Sequence, residues 1–376
     1  MGRVWLNLHR WVGLKLAILM SFVLITGTLA TVSREIDWAI DPARRVDPAS
    51  VPSVLDWQGL FDAARAARPD WAIDWISAPI DPWHAVEVVG RTEGGTLRRL
   101  LIHPATHEIQ GERPWFNAQR LFRDTHRRLM IFNVWGIITV SSLAVLLLLS
   151  LLSGLFVYKK FWRGFFKRPR TRDARTFWGD VHRLGGVWSI WFIVVIALTS
   201  LWYLIEALGA VAGQRVGPPP VLAPPHGLER PLETAGGPSL TDLAARAKAA
   251  SPGLEITDLF VSHFHAEPVR FHGQAEAILV RPRANQVRLD PETGAVLGVT
   301  RAETLSVLQR VSEMADPLHF GTFGGLATKL LYFVFGVILS GMSLSGVYIF
   351  SVRIRNAEAK RNRSRVGARA AAQVPQ

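Results

Sequence analysis

At 376 residues, with 49% hydrophobic content and a net charge of +13, the chain has room for two or three domains. The absence of cysteine excludes disulfides, thiolate metal sites, iron–sulfur clusters and covalent c-type haem attachment. Neither a G-x-G-x-x-G after a strand nor a phosphate loop occurs, so no nucleotide-binding fingerprint is present.

Residues 1–32 read as a short cytoplasmic lead followed by a first transmembrane helix. Trp5 and Trp11 are placed to sit at a lipid interface, and the apolar run Trp11–Val32 is interrupted only by Lys15. The run is longer than the 7–15-residue apolar core of a signal peptide and lacks a small-x-small cleavage site, which makes it an anchor. Residues 33–125 form an external region. Within it Trp57–Arg68 has helical periodicity, with Leu60, Phe61, Ala64 and Ala67 on one face. Ala72–Val89 and Leu97–Ile102 read as strands, and Pro104 opens a turn.

Residues 126–158 supply the second span, whose uncharged stretch is Leu129–Tyr158. The segment 159–181 is a basic loop, KKFWRGFFKRPRTRDAR in its first part. Residues 182–208 are the third span, and 209–318 a second external region. That region opens with the proline-rich GPPPVLAPPHGLERP. It continues with a predicted helix over Leu240–Ala250 and strands over Ile256–Val261, Ala277–Arg281 and Gln286–Leu289. A turn at Asp290–Gly294 puts Gly294 where positive φ is needed. Residues 319–352 are the fourth span, and 353–376 a basic tail. Lys and Arg concentrate beside span ends on the cytoplasmic side, so both termini and the 159–181 loop are expected in the cytoplasm. The basic excess thus reads as topology, with lipid and not nucleic acid as the surrounding partner.

The two external regions resemble each other. LFDAARAARPDW at 60–71 matches LAARAKAASPGL at 243–254, and LLIHPATHEIQGE at 100–112 matches VRLDPETGAVLGV at 287–299. The expected fold is therefore a membrane α-helical bundle of four transmembrane helices, a two-span unit used twice, with two external α+β domains.

Each span is preceded by a histidine: His9 in WLNLHRWVG, His126 in RDTHRRLMIF, His182 in FWGDVHRLGG and His319 in DPLHFGTFGG. By orientation His9 and His182 lie toward the cytoplasmic face, and His126 and His319 toward the outer face. Neutral imidazole is a standard axial ligand of haem iron, and bundle interiors are common cofactor sites. Two pairs suit two b-type haems held without covalent bonds. Arg10, Arg127, Arg128 and Arg183 follow three of the histidines directly, where they can pair with propionates. Gly13, Gly185, Gly186, Gly321, Gly324 and Gly325 would let a flat ring approach the backbone. The plainer reading makes each histidine an interfacial residue and each arginine a lipid-phosphate contact. The span interiors carry no ionisable residue beyond Lys15, Glu206 and Lys329 near their ends. Ion carriers keep such residues at mid-depth, so a permease is disfavoured. His263, His265 and His272 are a further candidate set, for a metal, for a ferric chelate, or as a solvated strand face.

VRLDPETGAVLGV looks like the signature end of a PepSY domain. Its combination with His-Arg-initiated spans resembles the PepSY-associated transmembrane family, to which bacterial inner-membrane ferric-siderophore reductases belong. In the first half HPATHEI replaces the DPxTG-type turn. The resemblance implies an oxidoreductase of the bacterial inner membrane with two periplasmic PepSY-like domains. Its electron donor would be a cytoplasmic flavoprotein or the quinol pool, and its acceptor a ferric siderophore that releases Fe(II). The alternatives are a PepSY protein that binds peptides or regulates proteases without a cofactor, and an electron conduit to another acceptor.

Overall fold

A computed structural model describes residues 2–15, 17–214, 216–217, 236–261 and 267–371. The proline-rich stretch from 218 to 235 with His226, and the His263 and His265 of the candidate set, lie outside the described residues. The chain divides into two compact units.

The first unit holds residues 1–31, 125–204 and 329–376. Its helices include α1 (Gly2–Lys15) and α2 (Ala17–Thr31); α3 (Ser33–Ile40) and α4 (Trp57–Ala67) follow in the second unit. Helix α5 (Ala118–Arg128) leads to α6 (Val134–Val157), and α7 (Ala174–Trp188) to α8 (Ile190–Val211). After α9 (Leu240–Ala250) and α10 (Val307–Phe320) the chain ends in α11 (Gly325–Ala371). Among the described residues three helical stretches are long and apolar enough to cross a membrane: Val134–Val157, Ile190–Val211 and Thr322–Asn356. Helices α2 and α3, taken as one bent span, make a fourth.

Apolar side chains all round these helices leave few polar groups, and those present bond locally. Thr199 Oγ1 donates to Val195 O at 2.8 Å, and Ser153 Oγ to Leu149 O at 2.6 Å. Small residues bring two spans together. Ser21 Oγ lies 2.8 Å from Ser343 Oγ and Thr28 Oγ1 3.2 Å from Ser340 Oγ, while a Cβ on Gly336 would meet Thr28 Oγ1 at 2.7 Å.

The second unit, residues 32–124 and 205–328, contains one antiparallel sheet of eight strands. In chain order these are β1 (Ala72–Ser77), β2 (Val86–Arg91), β3 (Leu97–Ile102), β4 (Ile109–Pro114), β5 (Glu255–Phe260), β6 (Val269–Gln274), β7 (Asn285–Leu289) and β8 (Val296–Thr300). The order β4-β3-β2-β1-β5-β6-β7-β8 shows two four-stranded meanders joined edge to edge. At the seam Trp75 pairs with Phe260, Ile76 with Leu259 and Ser77 with Asp258. The two external regions read from the sequence thus share a single sheet.

Helices α4 and α9 cover one face of that sheet. Leu60, Ala64, Leu243 and Ala247 pack in one core with Ile73, Ile76, Leu259 and Phe271. The two helices also cap each other. Leu240 N donates to Gln58 Oε1 at 2.9 Å, Gln58 N to Thr241 Oγ1 at 3.0 Å, and Thr241 Oγ1 to Asp56 Oδ1 at 2.7 Å.

One expected strand is misplaced. Residues 277–281 form no strand; the ladder partner of β5 and β7 is Val269–Gln274. There Val269, Phe271 and Gly273 alternate inward, whereas Ile278 is exposed and Val280 joins a small cluster with Ala284 and Ala302. The apolar run AILV advertised a strand without the period of two that a sheet face requires. Phe271 is fully buried under both helices. Phe271→Ala is expected to destabilise this unit by about 3–5 kcal/mol, read as a lower thermal transition of the detergent-solubilised chain.

Candidate histidine centre in the membrane unit

Two of the four predicted histidines come together. The rings of His9, on α1, and His182, on α7, have centroids 6.3 Å apart and stand nearly perpendicular at 82°. Each is held by a different span in the same manner. His9 Nδ1 donates to Ser150 O at 3.1 Å and lies 3.1 Å from Ser153 Oγ on α6. His182 Nδ1 donates to Met342 O at 3.0 Å and lies 3.2 Å from Ser345 Oγ on α11.

A carbonyl can only accept, so in the neutral ring Nδ1 carries the hydrogen and Nε2 keeps its lone pair. Both imidazoles therefore present Nε2 as the ligating nitrogen, with a second bond fixing the ring, which is how proteins orient metal-bound histidines. A metal held by two such nitrogens at ~2 Å each would separate the ring centres by roughly 6 Å. The observed separation fits that requirement. Among the described residues no group of three or more His, Asp or Glu is placed to hold a metal ion.

A glycine lies beside each ring. A Cβ on Gly154 would lie 3.6 Å from His9 Cε1, and one on Gly346 would lie 3.6 Å from His182 Cε1, both ordinary van der Waals contacts. The serine–glycine cradles occur in the sequence as Leu152-Ser-Gly and Leu344-Ser-Gly. Reading the spans for charge gives Ser153, Gly154, Ser345 and Gly346 no role beside the histidines. Aligning the second and fourth spans as a repeat finds all of them.

The predicted arginines separate by role. Arg183 pairs with the buried Asp180, which also accepts from Arg170 Nε at 2.8 Å, and its guanidinium lies 5.5 Å from the Tyr158 ring centre. Arg183 is therefore already engaged. Arg10 is partly exposed, Arg127 is exposed, and Arg128 stacks over Phe132 at 5.6 Å. Trp191 sits in a cluster with Phe192, Tyr332 and Phe335, its ring 4.8 Å from that of Phe335, which is packing.

His126 does not open the second span itself. It lies on α5, whose helix is broken from α6 at Leu129 and Met130, both with positive φ, before Asn133 caps α6. Its Nδ1 donates to Val23 O at 2.9 Å, so this ring too leaves Nε2 with its lone pair. It packs on Gly27, where a Cβ would meet its Cε1 at 2.6 Å. His319 is the penultimate residue of α10, which ends at Gly321 with φ 67°, and it belongs to the second unit.

The family described as "PepSY-associated TM region" matches residues 6–353. An uncharacterized protein of Pseudomonas aeruginosa is 25% identical over 258 residues, which is 63% of this chain and 64% of the relative.

His272, the described member of the third histidine set, belongs to β6. Its Nε2 lies 3.0 Å from Gln286 Oε1 and its ring 4.5 Å from that of Phe260. Burial pushes it down to about 4, with Asp258 and Gln286 opposing, so the folded protein keeps it neutral. The unfolded chain takes up the proton first, near 6.5. Stability fully present above that pH is thus lost as pH falls toward 4. His272→Gln is expected to flatten this limb of a thermal-stability profile; an unchanged slope would show that His272 does not control it.

Proposed function

The chain belongs to the PepSY-associated TM region family, and from that premise we propose a haem-dependent oxidoreductase of the bacterial inner membrane. It takes electrons from a cytoplasmic flavoprotein or the quinol pool and delivers them to a ferric siderophore in the periplasm. Fe(III) gains one electron and leaves as Fe(II), because hard oxygen donors hold the reduced ion far less firmly.

The observation that carries this reading is the His9–His182 pair, with matched Nδ1–H bonds to carbonyls of two spans and a ring separation of 6.3 Å. A b-type haem bound there supplies a reversible one-electron centre inside the apolar bundle. The chain's own part is to hold both Nε2 lone pairs in place, set Gly154 and Gly346 beside the rings, and keep Asp, Glu, Lys and Arg out of the span interiors. Arg10 is the nearby cation proposed for a propionate, since Arg183 is committed to Asp180. A second haem on His126 and His319, with Arg127 and Arg128 beside it, is proposed from the sequence plan. The four-span topology, with both termini cytoplasmic and the sheet unit periplasmic, follows from the basic segments 159–181 and 353–376.

The test is an absorption spectrum of the detergent-purified protein, oxidised and dithionite-reduced, with a pyridine haemochrome count. About two b-type haems per chain are expected, falling to about one in His182→Ala. A protein that stays colourless after expression with excess haem would sink the proposal and favour a cofactor-free, peptide-binding PepSY protein.

A further inference from the structure

The sheet unit contains a polar cavity of about 210 Å³ beside β1, β2 and β3 and the start of α5. That is the liquid volume of about seven water molecules, room for a small molecule and not for a polypeptide. Five guanidinium groups line it, those of Arg34, Arg44, Arg99, Arg120 and Arg123.

The carboxylates of the lining are already spent. Asp37 accepts from Asn117 Nδ2 at 2.6 Å, Ala118 N at 2.9 Å and Gln119 N at 3.0 Å, which caps α5. Glu87 is shared between Arg44 and Arg99. Asp258 accepts from Ser77 Oγ at 2.7 Å and Thr257 Oγ1 at 2.9 Å. The lining itself thus carries five cations and three carboxylates, and Arg44 also meets Asp41 at 3.5 Å.

The donors are held rigidly. Arg99 and Arg120 both stack on Trp115, their guanidinium carbons 4.8 and 3.8 Å from its ring centre. Arg99 is 3% exposed, and its Nη2 donates to Trp115 O at 2.7 Å. Trp75 braces the indole edge-on at 5.7 Å. Yet the Nε–H groups of both Arg99 and Arg120 are buried and have no acceptor. Both residues line the one cavity, so an oxyanion entering it would supply acceptors that they lack. Burial, then Arg123, holds Arg120 down to about 10, which leaves it a cation at neutral pH.

We propose that this cavity is a binding site for a small oxyanion, a carboxylate or phosphate group received by the guanidinium of Arg120 and the remaining Nε–H of Arg99. A planar guanidinium suits either group, and stacking on Trp115 sets both arginines in place before the ligand arrives. The site does not depend on the histidine centre.

The full chain in detergent is titrated calorimetrically with citrate and, separately, with inorganic phosphate, against sodium chloride of equal ionic strength. Saturable binding of at least one of these two probes is expected, and the tighter one tells carboxylate from phosphate. Arg120→Gln and Arg34→Gln keep a polar side chain of similar reach and are expected to fold, as checked by circular dichroism. Arg120→Gln should weaken binding by about ten-fold or more. No saturable heat from either probe, or unaltered affinity in a folded Arg120→Gln, would overturn the site. Haem content is measured on the same preparations, and a failed titration leaves that count untouched.

Discussion

The bond on which the membrane unit depends is that from an imidazole Nδ1–H to a main-chain carbonyl of a facing span. In an apolar helix bundle a carbonyl already serves its own helix, but it retains a second lone pair. His9 uses that capacity on Ser150 and His182 on Met342. The bond satisfies a polar ring in a place where an unsatisfied one is costly, and it decides which nitrogen is left with a lone pair. Serine hydroxyls at 153 and 345 reinforce both contacts while bonding back into their own helices.

Duplication works differently in the two units. In the membrane unit it makes equivalent cradles, Ser153–Gly154 for His9 and Ser345–Gly346 for His182, so a histidine pair is built from a one-histidine plan used twice. In the sheet unit it completes a fold. Strands β1 and β5 would each be an exposed edge in an isolated half, with unpaired N–H and C=O groups. Pairing them at Ile76 and Leu259 removes both edges and merges the cores under α4 and α9. The mutual capping through Gln58 and Thr241 ties the helix N-termini across the same seam.

The helical and strand elements were largely legible because their periodicity is local. Leu240–Ala250 has the boundaries read from its alanine-rich pattern, and Gly294 takes the positive φ its turn demanded. The run at 277–281 misled because hydrophobicity without alternation does not define a sheet face, and Val269–Gln274 was passed over because His272 and Arg270 interrupt it. The cavity around Trp115 had no local signal. Arg99 is on a strand and Arg120 on a helix, and only the fold brings both against one indole.

By itself the sequence determined that apolar spans alternate with polar modules, that the plan is repeated, and that histidines mark the approaches to the spans. Those properties follow from composition and short-range spacing. Tertiary structure alone decided the distance and angle at which His9 and His182 meet, that Arg183 is taken by Asp180, and that two sheet modules close into one sheet. Each of these is a contact between segments far apart in the chain, and its geometry is set by packing and by the need of every buried polar group for a partner.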